Sequence, residues 1–150
     1  MALLQSDNQA MKALFDRYAG LVQQGAANEQ KRSLADDICW TVTVHMAAKE
    51  EIFYPAAADA IDAQHLLHEA TVEHNSTRHL IADLVSMSPD KPHFDATMKV
   101  LGGHVGQHVG REESDLFPKV RQSSLDLRAI GERFAERKEE IMAEVEQVEA

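Results

Sequence analysis

The sequence predicts an all-α protein, an up-down-up-down four-helix bundle with an extra helix at the C-terminal end. Three observations carry that expectation. Apolar residues recur at spacings of three, four and seven along nearly all of the 150 residues. Seven Gly and four Pro are few, whereas a sandwich or barrel needs turn residues roughly every ten positions. The breaks between periodic stretches are short, which favours antiparallel helical neighbours. The length suits one domain with a real core. Residues 1–122 are expected to form the bundle, and residues 123–150 an amphipathic helix packed on it or on a partner subunit.

The first helix carries Leu4, Met11, Phe15, Tyr18 and Val22 on one face, and Gly25 is its stop. Asn28 is placed to cap a second helix through Leu34, Ile38, Val42 and Ile52, which Pro55 should interrupt. The third runs through Leu67, Val72, Ile81 and Leu84 to the loop Ser88-Pro89-Asp90-Lys91-Pro92. The fourth carries Met98, Leu101 and Val105 and should end near Phe117-Pro118. Ser124 is the expected cap of the fifth, whose stripe is Leu127, Ile130, Phe134, Ile141, Val145 and Val148.

Composition narrows the function classes. Lys and Arg number 15 against 25 Asp and Glu, a net charge of −10. That balance argues against nucleic-acid binding, where affinity for phosphate grows with each basic contact. A lone cysteine, Cys39, forms no internal disulfide. The first twenty residues hold neither a signal peptide's apolar run nor a membrane span. A soluble, cytoplasmic protein without a membrane partner is expected. Gly-rich phosphate loops, Cys-x-x-Cys pairs and Ser nucleophile motifs are absent, so no catalytic residue is expected apart from a metal.

The chemistry lies in polar residues that share the apolar stripes. On helix two, His45 and Lys49 point where Ile38 and Ile52 point. Helix four aligns His104, His108 and Glu112 beside Leu101 and Val105, helix three turns His74 inward, and helix one turns Asn8 inward. Buried polar groups are costly unless paired or bound to something, and a His and a carboxylate four apart can reach one cation. A weak internal repeat joins helices two and four. His45-Met-Ala-Ala-Lys-Glu50-Glu-Ile-Phe-Tyr-Pro55 aligns with His108-Val-Gly-Arg-Glu-Glu113-Ser-Asp-Leu-Phe-Pro118, with His, Glu and Pro at the same offsets. His65, His68, His79 and His93 read as solvated, and Cys39 beside Trp40 as a core thiol.

At these stretches, together with Leu4–Phe15 and Val72-Glu-His74, the chain resembles the hemerythrin-like (HHE cation-binding) proteins over about residues 3–120. The resemblance implies a four-helix bundle with non-haem iron that binds or senses dioxygen or handles reactive species. It assigns His45, His74, His108 and Glu112 as metal ligands. Two positions depart from the family pattern: Asn8 stands for a ligand His, and Lys49 for the bridging Glu. An ammonium about 4 Å from a cation meets several kcal/mol of repulsion per unit charge. One iron ion at most is therefore expected, with Glu50, Glu113 or His104 as reserve donors. The alternative is a metal-free interaction or regulatory module in which Lys49 pairs with Glu112. A homo-oligomer through the C-terminal helix is possible under either reading.

Overall fold

The computed structural model describes residues 1–149, with side chains described through Glu144. Val145 and Val148 of the expected stripe lie outside the described side chains. Among the described residues seven α-helices follow one another: α1 (Ala2–Gln23), α2 (Asn28–Ala48), α3 (Tyr54–Ala60), α4 (Gln64–Ser86), α5 (Pro92–Arg111), α6 (Phe117–Arg121) and α7 (Leu127–Glu149). Two single π-helical turns, Lys49–Phe53 and Glu112–Leu116, join α2 to α3 and α5 to α6. The bundle's four rods are therefore α1, α2 with α3, α4, and α5 with α6, and α7 lies against α1, α2 and the first π turn.

Gly25 ends α1 as its position suggests, with φ at 66°. The amides of Gly25 and Ala26 bond the carbonyls of Val22 and Leu21, which is the left-handed Schellman closure that glycine adopts without steric cost. Other expected boundaries are corrected. Asn28 is the first residue of α2 and makes no side-chain cap. Pro55 does not end the second rod, and Pro118 does not end the fourth. Each stands one residue beyond a π turn, and the helix runs on to Ala60 and Arg121. The amides of Tyr54 and Phe117 reach back five residues, to the carbonyls of Lys49 and Glu112. The wider turn accepts a ring that would collide with the carbonyl four residues back in a regular helix. Ser124 does not cap α7; Asp126 does, its Oδ1 accepting the Ala129 amide at 3.1 Å.

Two apolar clusters fill the bundle. One gathers Met11, Tyr18, Ile38, Val42, Phe94, Met98 and Leu101. The other gathers Leu4, Phe53, Leu67, Leu116, Phe117 and Val120, together with Phe134 of α7. On every rod the inward polar residues fall between members of the two clusters: Asn8 between Leu4 and Met11, His74 between Ala70 and Leu84, His108 between Val105 and Leu116. A polar layer crosses the core there.

Candidate functional site

Six of the seven polar stripe residues are buried: Asn8, His45, Lys49, His74, His108 and Glu112 are each less than a tenth exposed, and His104 is the exception. Lys49 is fully enclosed. Its ammonium bonds Glu112 Oε1 and, at 3.3 Å, Asn8 Oδ1. The other oxygen of Glu112 accepts a hydrogen bond from the Tyr54 hydroxyl at 2.7 Å and lies 3.2 Å from His108 Nε2. Glu112 thus bridges a fixed cation on one side and a group of polar atoms on the other.

That group is compact. His74 Nε2 and His108 Nε2 stand 3.2 Å apart, and the Tyr54 oxygen is 3.4 and 3.2 Å from them. His45 is not in it. Its Nδ1 meets Asp7, its ring stands edge-on to Phe134 at 5.7 Å, and its Nε2 is buried without a partner. His104 is half-buried and lies outside the cluster. His65, His68, His79 and His93 are exposed, as their positions predict.

Behind each buried histidine stands a carboxylate, and behind each carboxylate a cation near the surface. His108 Nδ1 faces Glu73 at 2.9 Å, and Glu73 pairs with Arg111 at 3.1 Å. His74 Nδ1 lies 3.5 Å from Glu50, which Arg78 holds at 3.0 Å. His45 Nδ1 faces Asp7, which Lys138 of α7 holds. The π turns help to build this shell. In a regular helix Glu50 and Glu113 would sit well round from the inward face. The wider turn brings Glu50 to His74 and Glu113 to the Asn8 amide at 3.2 Å.

Burial and the neighbouring charges set the protonation states. Burial, with the Lys49 charge, pushes His45 down to about 4 despite the carboxylate of Asp7. Burial, with His108 and Lys49, pushes His74 down to about 2. Burial opposes ionisation of Glu112, but Lys49 and His108 outweigh it and hold the group well below the carboxylate range. Asp7 falls to about 2 for the same reason: burial opposes, and His45 and Lys138 win. Burial and the Glu112 charge raise Tyr54 far above its ordinary value, so it is a phenol that donates. Neutral His45 and His74 beside an ionised Glu112 are protonation states of the kind a cation needs.

Among the described residues no group of three or more His, Cys, Asp or Glu side chains is placed to hold a metal ion as the structure stands. Tyr54 and Lys49 fill the centre instead. The donor spacings nevertheless suit one ion. Adjacent ligands on a cation with bonds of about 2.0–2.1 Å lie about 2.8–3.4 Å apart, and the His74–His108 and His108–Glu112 separations are both 3.2 Å. The Tyr54 oxygen meets the same spacing to both imidazoles. His74 Nδ1 has no hydrogen-bond partner. Moving its proton from Nε2 to Nδ1 would aim it at Glu50 and free Nε2 for a ligand bond. These pairwise spacings match those of neighbouring ligands on one cation. The residues do not fit a second beside it, where the Lys49 ammonium is bonded to Asn8 and Glu112.

Tyr54, Asp7, Glu73, Phe134 and Lys138 belong to the site but are absent from the expected residues. Tyr54 is visible only as the aromatic before Pro55. Asp7 and Glu73 each immediately precede an inward residue, one position off the stripe.

Comparisons with known proteins bear on the fold and the family. The chain is similar in fold to a solved Hemerythrin HHE cation binding domain-containing protein from Mycobacterium kansasii, with a TM-score of 0.76 and 19% identity over 93% of this chain and 84% of that one. It is also 26% identical over 124 residues to a DNA nickase from Nostoc sp., covering 81% of this chain. The chain spans about a third of that relative's length, 33%. Residues 1–120, which hold the whole polar layer except its contacts from α7, match the Hemerythrin HHE cation binding domain, and the chain belongs to that family.

Proposed function

We propose that this protein binds a single non-haem iron ion on His74, His108 and Glu112, with Tyr54 as the adjoining oxygen donor; His45, the fourth expected ligand, stands outside this group with its Nδ1 on Asp7. One observation carries the reading: Nε2 of both imidazoles and an oxygen of Glu112 are held at ligand-to-ligand spacing, with carboxylates behind both rings. Two histidines and one carboxylate are a donor set suited to ferrous iron. Carboxylates that hold the outer ring nitrogens fix the tautomer and raise ligand basicity.

A bound iron ion supplies Lewis acidity and one-electron chemistry. The chain's own residues do the rest. Lys49 provides, as a fixed ammonium, positive charge that a second metal would otherwise bring to Glu112. Tyr54 donates its hydroxyl hydrogen bond to Glu112 Oε2, and a centre this buried suits only a small molecule. Dioxygen or a reactive oxygen species is of that size, and the protein would bind or sense it in the cytoplasm. No helix among the described residues is long and apolar enough to cross a membrane. Strand nicking belongs to the longer relative, and the −10 charge here gives it no support.

The test is iron content and melting temperature after anaerobic loading with ferrous iron, on untagged protein. A single iron per chain is expected, with a rise in melting temperature because the ion binds only the native state. His108→Ala and Glu112→Gln should abolish both. Two irons per chain would show that Lys49 leaves the centre. No uptake would favour the second reading, a metal-free hemerythrin-fold module, for which the enclosed Lys49–Glu112 pair already speaks.

A further inference from the structure

Two of the three histidine–carboxylate–cation chains lie wholly within residues 1–120, the span that matches the family. The third does not. His45 and Asp7 are inside that span, but the cation behind Asp7 is Lys138 on α7. The aromatic ring that stands against His45, Phe134, is on α7 as well. We propose that α7 completes the site, with Lys138 and Phe134 as positioning residues that fix which nitrogen of His45 faces the core.

The argument runs through proton positions. Asp7 offers only acceptors when ionised. One of its oxygens takes Lys138 and the other faces His45 Nδ1, so Nδ1 carries the imidazole's proton. A neutral ring has only one proton, which leaves Nε2 as a bare lone pair. That atom is buried and has no partner, so nothing on the inner side selects the tautomer. The selection comes from outside, along Lys138, Asp7 and Nδ1. Phe134 is 1% exposed and meets the imidazole at 83°, which keeps the ring in its plane. The Lys138 ammonium also lies 5.6 Å from the Phe134 ring centre, so one helix face delivers both contacts.

A plain docking role for Lys138 is the competing account. Arg137, its neighbour on α7, shows what such a pair looks like: it holds Glu51 at 2.6 Å, and Glu51 is nearly half exposed. Asp7 is different. Its side chain is 10% exposed, and its second oxygen is committed to the histidine. If Lys138 only docks the helix, removing it should behave like removing Arg137. If it positions His45, only Lys138 should move the tautomer.

The measurement is the ring-nitrogen chemical shifts of His45 in full-length, metal-free protein labelled with ¹⁵N, near neutral pH. Wild type should show a protonated Nδ1 and a bare Nε2. Lys138→Met leaves the buried Asp7 carboxylate without its cation and free to turn to solvent, which takes the acceptor from Nδ1. A large part of the population should then shift to the Nε2-protonated form, and Lys138→Arg should restore the wild-type pattern. Asp7→Asn gives an independent reading, because its amide can turn a donor toward Nδ1, and it should shift the population the same way. Arg137→Met should leave His45 unchanged even if it melts earlier. A pure Nδ1-protonated ring in Lys138→Met, or an equal shift in Arg137→Met, would overturn the proposal. Because the protein carries no metal in this measurement, the outcome is independent of whether iron binds.

Discussion

Lys49 decides what the core can hold. Its ammonium has no solvent contact, and its charge is met by Glu112 and the Asn8 carbonyl oxygen. Removing one partner of such a pair leaves a buried charge uncompensated, which costs about 3–5 kcal/mol. Lys49→Met should therefore lose about that much stability in urea denaturation of the metal-free protein. Lys49→Met with Glu112→Leu should recover most of it, because two apolar groups of similar volume carry no desolvation cost. A loss below about 1 kcal/mol for the single variant would mean that water reaches Glu112. The histidines bring a pH dependence of definite sign. His45 and His74 have folded values of about 4 and about 2, below the ordinary 6.5. Below pH 6.5 the unfolded chain takes up these protons and the folded one does not. Stability should thus fall as the pH drops from 6.5 toward 4, by up to about 1.4 kcal/mol per pH unit for each ring. Asp7 and Glu112 are depressed too, but their contribution is complete above the ordinary carboxylate range and is lost only as the pH falls through their lower folded values. Melting temperatures of metal-free protein between pH 7 and 5 isolate the imidazoles, and a flat profile would refute neutral burial. At this scale the sequence was informative for a physical reason. A polar residue on an apolar stripe is costly enough to signal a use, and Asn8, His45, Lys49, His74, His108 and Glu112 are all buried. Tyr54 was not legible as a site residue, because an aromatic at a helix end reads as apolar filling and only the fold brings its hydroxyl to Glu112.

At the scale of the elements, the repeat from His45 to Pro55 and from His108 to Pro118 has a structural meaning that periodicity cannot supply. Each copy holds a π turn at the same offset, starting four residues after the His. Helical patterns of 3.6 residues do not reveal a single wide turn, so the prolines looked like stops and Glu50 and Glu113 looked turned away. The turn resolves both, since it makes room for the proline and swings the following carboxylate toward the site. Helix α5 shows a second local effect. A Cβ at Gly106 would meet nothing within 4 Å, whereas one at Gly102 would come within 3.0 Å of the Phe15 ring. Gly in a helix interior costs about 0.8–1.0 kcal/mol relative to Ala. Gly106→Ala should therefore raise stability by nearly that amount, measured by thermal or urea unfolding. Gly102→Ala should gain less or lose, because Phe15 must shift. Equal gains at the two positions would show that Phe15 moves freely.

The whole molecule is five rods in one packing unit, and α7 determines how far the family domain stands on its own. Amphipathicity made this helix legible, because a stripe of that length has to be covered. Its destination was not, since sequence alone left its own bundle and a partner subunit equally open. In the structure Leu127, Ile130, Phe134 and Ile141 pack on the bundle's second apolar cluster, against a core that includes Leu4, Phe53 and Phe117. Phe134 is the deepest of them, and Phe→Ala at a buried site costs about 3–5 kcal/mol. Phe134→Ala should thus destabilise the protein by that order while leaving it monodisperse in size-exclusion chromatography, because the face it opens is small and internal. Deleting residues 124–150 is a larger step. It uncovers that cluster, removes Lys138 from Asp7, and leaves a carboxylate beside His45 without its cation. The truncated chain should bind an apolar dye and melt well below the full-length protein, with a deficit at least as large as that of Phe134→Ala. Should the truncated chain melt at the full-length temperature and bind no dye, the bundle of residues 1–122 would be complete without α7. The contacts of Phe134 and Lys138 would then lie on an already stable site rather than help to form it.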